Sequence, residues 1–180
     1  YEVTDVIVAG NDVSDIGYDM ITGLQADGIS LLDVPGGEVQ DNVIHDLSGK
    51  GISILRSYAT VTGNEIDNTG DAGISIVDGT DRSTIQSNDI DGASAGGVVA
   101  IDGDADVLDN TIANIEVNFE YGFGEGIAFG MQADLTITGN TIQGNAMNGI
   151  MYMDGATGTI ENNTISDHPL FGIREYCTID

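Results

Sequence analysis

The sequence predicts an all-β fold, a parallel β-helix solenoid of about seven coils of 22–24 residues, because two residues recur at a fixed period. A glycine followed by an aliphatic residue recurs at Gly28, Gly51, Gly73, Gly97, Gly126, Gly149 and Gly172. An asparagine recurs at Asn11, Asn42, Asn64, Asn88, Asn110, Asn140 and Asn163. Such repetition is typical of folds in which each unit buries its apolar side chains only by stacking on its neighbours.

Aliphatic residues flank each recurring asparagine at fixed distances. Two positions after it stand Val13, Ile44, Ile66, Ile90, Ile112, Ile142 and Ile165. Three positions before it stand Val8, Val39, Val61, Ile85, Val107, Ile137 and Ile160. Stretches such as TVTGN and GISIL alternate with period two, which indicates short strands rather than helix. Asparagine tolerates the left-handed conformation of a sharp corner, and stacked amides can bond to one another, so we expect an Asn ladder.

This repeat resembles that of the right-handed parallel β-helix proteins, the pectin-lyase-like superfamily, over nearly the whole chain. The resemblance implies a right-handed solenoid, and members of that group are mostly carbohydrate-active secreted proteins. The stretch NTISDHPLFGIREYCTID also resembles the late coils of the mannuronan C5-epimerase catalytic module. The signature of that module, Tyr-Gly-Phe-Asp-Pro-His, is not reproduced, since the nearest text is Tyr121-Gly122-Phe123-Gly124-Glu125.

The chain is strongly acidic. Thirty Asp and Glu residues stand against four Lys and Arg residues, which gives a formal net charge of -26. Nucleic acids and anionic membranes favour basic surfaces, so neither is an expected partner, whereas cations are. No stretch approaches the roughly 20 apolar residues of a membrane span, so we expect no membrane insertion. The acidic composition suits a secreted or cell-surface protein; the alternative is that the acidic surface serves solubility alone.

The length suits one β-helix domain over residues 1–180, which we expect to be a mature form or a fragment of a longer chain. Cys177 is the only cysteine, so no internal disulfide can form. Stability must therefore come from packing and backbone pairing.

Two insertions interrupt the repeat at the same corner of the coil. The recurring Asn precedes the next recurring Gly by nine residues in five coils, but by 17 from Asn11 to Gly28 and by 16 from Asn110 to Gly126. The insertions stand four coils apart, or about 19 Å at the spacing of parallel strands. We expect them to form the walls of a substrate-binding trough, with the wall residues Tyr18, Met20, Phe119, Tyr121 and Phe123. The alternative is that the insertions only cover the coil edge.

The floor of the expected trough carries the candidate catalytic residues. Lys50 would neutralise a substrate carboxylate, while His45 or a tyrosine exchanges the proton α to it. Tyr18 or Tyr121 would act from the opposite face, and the Asp46 carboxylate would accept hydrogen bonds from sugar hydroxyls. If the protein is an enzyme, this chemistry makes it a polysaccharide lyase or C5-epimerase. The alternative is that His45 is an ordinary surface histidine in a turn.

Calcium is the expected cation. Asp67, Asp71 and Asp91 lie at the corners of the predicted floor, and carboxylate oxygens are the ligands that Ca2+ prefers. Asp78 and Asp102 would stack one coil apart, where a bound Ca2+ would relieve a repulsion of about 1 kcal/mol. Each of these two is followed by glycine, so a turn role is the alternative.

Two functions stay open from the sequence. The first is an extracellular module that binds, or processes, a polysaccharide or other glycan in the trough. The second is a structural spacer, or a self-assembling adhesin, surface-layer or filament module, in which exposed coil ends associate end to end.

Overall fold

The chain folds into a solenoid, as shown by a computed structural model that describes residues 6–17, 26–120 and 122–176. Each coil contributes one strand to each of three parallel sheets, and each sheet has seven strands. No helix occurs within these three ranges, so none of them holds a helix long and apolar enough to cross a membrane. The predicted fold class, an all-β parallel β-helix of about seven coils, is confirmed.

The first sheet has a polar outer face that is rich in threonine. Thr60 pairs in register with Thr84, and Thr62 with Gln86, so these outward side chains form columns along the solenoid. The strands of this sheet are β1 (Ile7–Ala9), β4 (Pro35–Gln40), β7 (Tyr58–Thr62), β10 (Ser83–Gln86), β13 (Ala105–Leu108), β16 (Asp134–Thr138) and β19 (Thr157–Glu161).

The second sheet has an acidic outer face. His45, Asp67 and Asp91 are register partners in three successive strands. The strands of this sheet are β2 (Asp12–Ser14), β5 (Val43–Leu47), β8 (Glu65–Thr69), β11 (Asp89–Asp91), β14 (Thr111–Ala113), β17 (Thr141–Gln143) and β20 (Thr164–Ser166).

The third sheet begins at the recurring glycines. Its strands are β3 (Ile29–Leu32), β6 (Ile52–Leu55), β9 (Ile74–Val77), β12 (Ala95–Ile101), β15 (Gly124–Gly130), β18 (Ile150–Met153) and β21 (Ile173–Tyr176). The first isoleucine of each GISI stretch faces the core: Ile52 and Ile74 are register partners, and both are fully buried. Side chains alternate along a strand, so the serines that follow these isoleucines point outward.

An asparagine ladder runs along the start of the second sheet. The backbone N–H and the Nδ2 of Asn64 both donate to the Oδ1 of Asn88, at 3.0 and 2.9 Å. The same pair of bonds joins Asn11, Asn42, Asn64, Asn88, Asn110, Asn140 and Asn163 in order. The second amide hydrogen of Asn64 is directed to the carbonyl of Val39, at 3.0 Å. The ladder therefore satisfies polar groups that the corner would otherwise bury without partners.

The corners of the coils place residues in the left-handed conformation. Among the described residues, 16 non-glycine residues have positive φ, and eight of these are aspartates. They are Asp15, Asp33, Asp41, Asp46, Asp78, Asp102, Asp109 and Asp167. Aspartate and asparagine tolerate this conformation better than other residues with a Cβ. Corner geometry therefore accounts for part of the acidic composition.

We expect Asn88→Ala to lower the free energy of unfolding by about 3 kcal/mol or more, because it removes the buried acceptor of the Asn64 N–H and of one of the two Nδ2 hydrogens of Asn64. The matched control is Asn11→Ala, at an exposed position of the same ladder, which should cost much less. Chemical denaturation measures both values. Equal losses would contradict a larger contribution from the buried ladder bonds than from the exposed one.

Candidate functional site

The outer face of the third sheet is uncharged in six of its seven strands. The outward residues of these strands are Ser30, Leu32, Ser53, Leu55, Ser75, Val77, Val99, Ile101, Ala128, Gly130, Met151 and Met153. The last strand adds Arg174 and Tyr176. The other two sheets carry carboxylates at outward positions, for example Glu38 on the first and Asp67 on the second. In a protein of charge -26, a face without charge is a distinct surface.

Two adjoining pockets lie on this face, and we call them together the outer groove. The first has a volume of about 200 Å³ and a floor that includes Ser75, Val99 and Ala128. The second has a volume of about 250 Å³ and reaches Arg174. Both pockets are lined by Phe123 and Met153, so they are continuous along the solenoid axis.

The outer groove follows the stacking direction of the coils. From β9 to β21 there are four steps between neighbouring strands, or about 19 Å. The groove is therefore long and narrow, and its long axis crosses one strand after another. This shape suits an extended polymer better than a compact small molecule.

A hairpin in the second insertion places Phe123 over the outer groove. Asn118 and Phe123 pair as an antiparallel bridge, in which the Asn118 N–H donates to the Phe123 carbonyl at 2.8 Å. The Gly122 N–H donates to the Asn118 carbonyl at 2.7 Å and closes the turn. Phe119, at the tip of the hairpin, is 96% exposed. Of these two aromatic residues, Phe123 alone lines the groove.

An ion pair closes one side of the outer groove. The Lys50 ammonium lies 3.2 Å from the Asp71 carboxylate, and both residues line the first pocket. Asp71 also accepts a hydrogen bond from the backbone N–H of Ala72 at 2.9 Å. The only lysine of the chain is therefore partly neutralised at the groove, and its ion pair offers a donor and an acceptor to a ligand hydroxyl.

A buried carboxylate lies at the root of the hairpin. Glu125 is fully buried, and it accepts hydrogen bonds from the Gly124 N–H at 2.7 Å and from the Asn148 Nδ2 at 3.0 Å. Burial raises the pKa of Glu125, since desolvation outweighs these hydrogen bonds. Glu125 lines the second pocket, so it is the ionisable group beneath the part of the groove that Phe123 covers.

The structure places only some of the predicted site residues in the outer groove. Lys50, Asp71 and Phe123 line it, whereas Phe119 does not. The predicted residues Tyr18, Met20 and Tyr121 lie outside the described residues. The catalytic and substrate-binding roles assigned from the sequence stay predictions.

His45 and Asp46 lie on the side of the second sheet, away from the outer groove. The His45 Nδ1 is 2.9 Å from the Asp46 carboxylate, and its Nε2 is 3.3 Å from Asp12. Hydrogen bonding to Asp46 is the main cause that raises the pKa of His45. Asp46 also accepts a hydrogen bond from the Nδ2 of Asn68 at 2.6 Å. The arrangement is an exposed charged cluster, and neither residue lines the groove pockets.

The predicted calcium ligands do not converge into one cluster. Asp67 and Asp91 are register neighbours on the second sheet, while Asp71 is paired with Lys50. Asp78 and Asp102 occupy corners, with φ of 50° and 52°. Within the described ranges, no group of three or more His, Cys, Asp and Glu residues could hold a metal ion. Calcium binding stays a prediction.

Sequence reasoning missed the apolar lining of the outer groove and two of its charged residues, Glu125 and Arg174. Arg174 lies over the rings of Phe171 and Tyr176, with its Cζ 5.6 and 5.3 Å from their centroids. Glu125 is the last residue of the YGFGE stretch, in which the aromatic residues were the predicted site residues. The sequence signal that could have identified Glu125 is its position directly before Gly126, one of the recurring glycines.

We expect Glu125→Gln to change how stability depends on pH. The pKa of Glu125 is raised in the folded state, so the wild type should lose stability as pH rises from the unfolded pKa through the folded pKa. The variant lacks this loss. Its melting temperature relative to the wild type should therefore increase across that interval and then level off. The control is Glu120→Gln, an exposed position in the same insertion. A difference that stays constant with pH would contradict the burial of a titrating carboxyl group.

We also expect the melting temperature to rise with NaCl, because salt screens the repulsion within a chain of net charge -26. Calorimetry in NaCl and CaCl2 of equal ionic strength separates screening from specific binding. A larger rise in CaCl2, reversed by EDTA, would support calcium at the aspartates. Equal rises would assign the effect to screening, and no rise in either salt would contradict the repulsion.

Comparisons with known proteins agree with this architecture. The A-module of mannuronan C-5 epimerase AlgE4 from Azotobacter vinelandii superimposes with a TM-score of 0.54 at 15% sequence identity. The match covers 98% of this chain and 56% of that module, so this chain spans about half its length. At this identity the likeness shows the fold alone.

Two comparisons were made at the level of sequence. A search of curated proteins gave no match. The profile of the family described as "right handed beta helix region" matches residues 1–90 and 76–179. These ranges span nearly the whole chain, and the three parallel sheets show the corresponding fold. The chain therefore belongs to the right handed beta helix family.

Proposed function

We propose that the protein is a secreted or cell-surface module that binds a polysaccharide chain lengthwise in the outer groove. The observation that carries this proposal is the groove itself: a largely apolar, elongated channel on the outside of an otherwise acidic solenoid, with the Phe123 ring lining both of its pockets. A concave, largely apolar surface with a few polar groups is the usual form of a ligand site.

The spacing of the strands that line the groove is similar to the spacing of sugar units in a glycan. Neighbouring strands lie about 4.8 Å apart, a distance similar to the length of one sugar unit in an extended chain. The C–H faces of sugar rings are apolar and pack on aromatic and aliphatic side chains. Phe123, Val99 and Met153 supply such contacts in successive coils. The Lys50–Asp71 pair supplies hydrogen bonds for the hydroxyls at one side.

Binding accounts for the groove better than catalysis does. Lys50 is paired with Asp71 and lines the groove, whereas His45 is in the second sheet and does not line the groove pockets. Glu125 is a candidate acid, but it is fully buried. Lyase or C5-epimerase activity rests on the resemblance of the sequence, and on a distant structural likeness to a module named for mannuronan epimerisation.

The alternative function, a structural module that stacks end to end, stays a prediction. Each ladder asparagine donates to the next one along the chain, so such a stack would run head to tail. This function makes no use of Phe123. A substitution at Phe123 therefore separates the two functions.

We expect Phe123→Ala to weaken binding of the best-bound polysaccharide by about tenfold or more, since an aromatic stacking contact and its buried area are lost. The control is Phe119→Ala in the same hairpin, which should change the affinity by less than about twofold. Titration calorimetry measures the affinity, and thermal melting checks that both variants fold. If no glycan in a broad panel binds, or if Phe123→Ala binds as the wild type does, the proposal is wrong.

A further inference from the structure

We infer that the polysaccharide bound in the outer groove is uncharged and extended, as in β-1,4-linked glucans and mannans, and is held by its apolar sugar faces rather than through carboxylates. This inference rests on the proposed function and narrows its ligand class. It follows from the charges in and around the groove, which offer an acidic sugar almost nothing to bind.

The basic side chains of the protein are already engaged. The chain has four Lys and Arg residues. Lys50 pairs with Asp71 at 3.2 Å, and Arg56 pairs with Asp33 through two bonds of 2.8 Å. Arg82 bonds to two further carboxylates on the first sheet, those of Asp106 and Asp134.

Arg174 is the fourth basic residue, and it lies at one end of the groove. Its guanidinium faces the rings of Phe171 and Tyr176, and the Glu125 carboxyl group is near enough to interact with its charge. A chain of acidic sugars would thus meet two cations along the whole groove, Lys50 and Arg174, and each is partly compensated by a neighbouring carboxyl group. A regular polyanion needs a cation at each charged unit, and this spacing is absent from the lining of the described pockets.

The electrostatic field of the whole protein also favours an uncharged ligand. A net charge of -26 repels a polyanion at every approach. Divalent cations can bridge two anionic surfaces, but Asp71, the carboxylate that lines the first pocket, is bound to Lys50. An uncharged glycan meets no such repulsion.

The lining also has the composition that a neutral sugar chain requires. Val99, Ile101 and Met153 provide the apolar floor, and Ser75 and the Lys50–Asp71 pair provide a few polar groups. Ligand sites combine a largely apolar surface with a small number of placed polar groups. Affinity would then come mainly from apolar contact, which depends little on salt.

The test compares sugar chains of one length that differ in charge. The probes are cellohexaose and mannohexaose as neutral chains, and hexamers of mannuronate and galacturonate as acidic chains. Titration calorimetry is run on the full chain at low and high NaCl, with Ca2+ and with EDTA. We expect at least one neutral hexamer to bind, with an affinity that changes by less than about threefold between the salt conditions. We expect both acidic hexamers to bind at least about tenfold more weakly.

The failures of the inference and of the proposed function are distinguishable. Binding of an acidic hexamer that equals or exceeds that of the neutral ones, whether or not it needs Ca2+, overturns the inference and leaves glycan binding intact. If no hexamer binds, and polymeric cellulose, mannan, alginate and pectate fail as well, the proposed function falls, and the inference falls with it.

Two substitutions at one position provide a second test. Val99 lies on the groove floor, so Val99→Asp and Val99→Lys introduce opposite charges at the same place. For a neutral ligand we expect both to weaken binding by about tenfold, because each replaces an apolar contact. If the glycan that the wild type binds best binds more tightly to Val99→Lys, the inference is overturned. Thr62→Lys, on the outer face of the first sheet, is the control for added charge, and melting curves verify folding.

Discussion

The bonds between successive ladder asparagines set the register on which the rest of the structure depends. Each amide donates to the next coil and to a backbone carbonyl of the preceding coil, so neighbouring coils cannot slip past one another without breaking buried hydrogen bonds. With this register fixed, the same position of every coil falls on the same face. The uncharged outer face of the third sheet is a consequence, because a row of small or apolar residues becomes a continuous surface only when the coils are aligned.

The backbone conformation required at the corners of the coils explains part of the negative charge of the protein without reference to its function. The sharp corners of a coil need residues that accept positive φ. Of the 16 non-glycine residues with positive φ in the described part of the chain, eight are aspartates. These carboxylates are selected by backbone geometry first. Asp78 and Asp102 illustrate this, since both occupy corners next to glycines. A high density of aspartate in such a solenoid is therefore weak evidence for metal binding.

The sequence was sufficient for the fold because its signals are local and repeated. The columns that contain Ile52, Ile66 and Val61 each face the core, and all three residues are at most 1% exposed. The site was harder to predict. The longer spacing from Asn110 to Gly126 revealed an insertion. It did not show that the hairpin of this insertion would place Phe123 in the groove on the third sheet and leave Phe119 in solvent. Loop direction depends on a few tertiary contacts that no period records. The burial of Glu125 was not predicted for the same reason, because it depends on the hairpin and on Asn148 rather than on the repeat.

The outer groove owes its character to the alternation of side chains in the third sheet, where one set of residues packs the core and the other is free to meet a ligand. The central claim is that this face, and not the acidic corners, receives a sugar chain. The most direct measurement is a crystal structure of the protein with the best-bound neutral hexasaccharide. The account predicts sugar rings along the third sheet, parallel to the solenoid axis and in contact with Phe123. Sugar density over the second sheet near His45 and Asp67, or over the threonines of the first sheet, would contradict it.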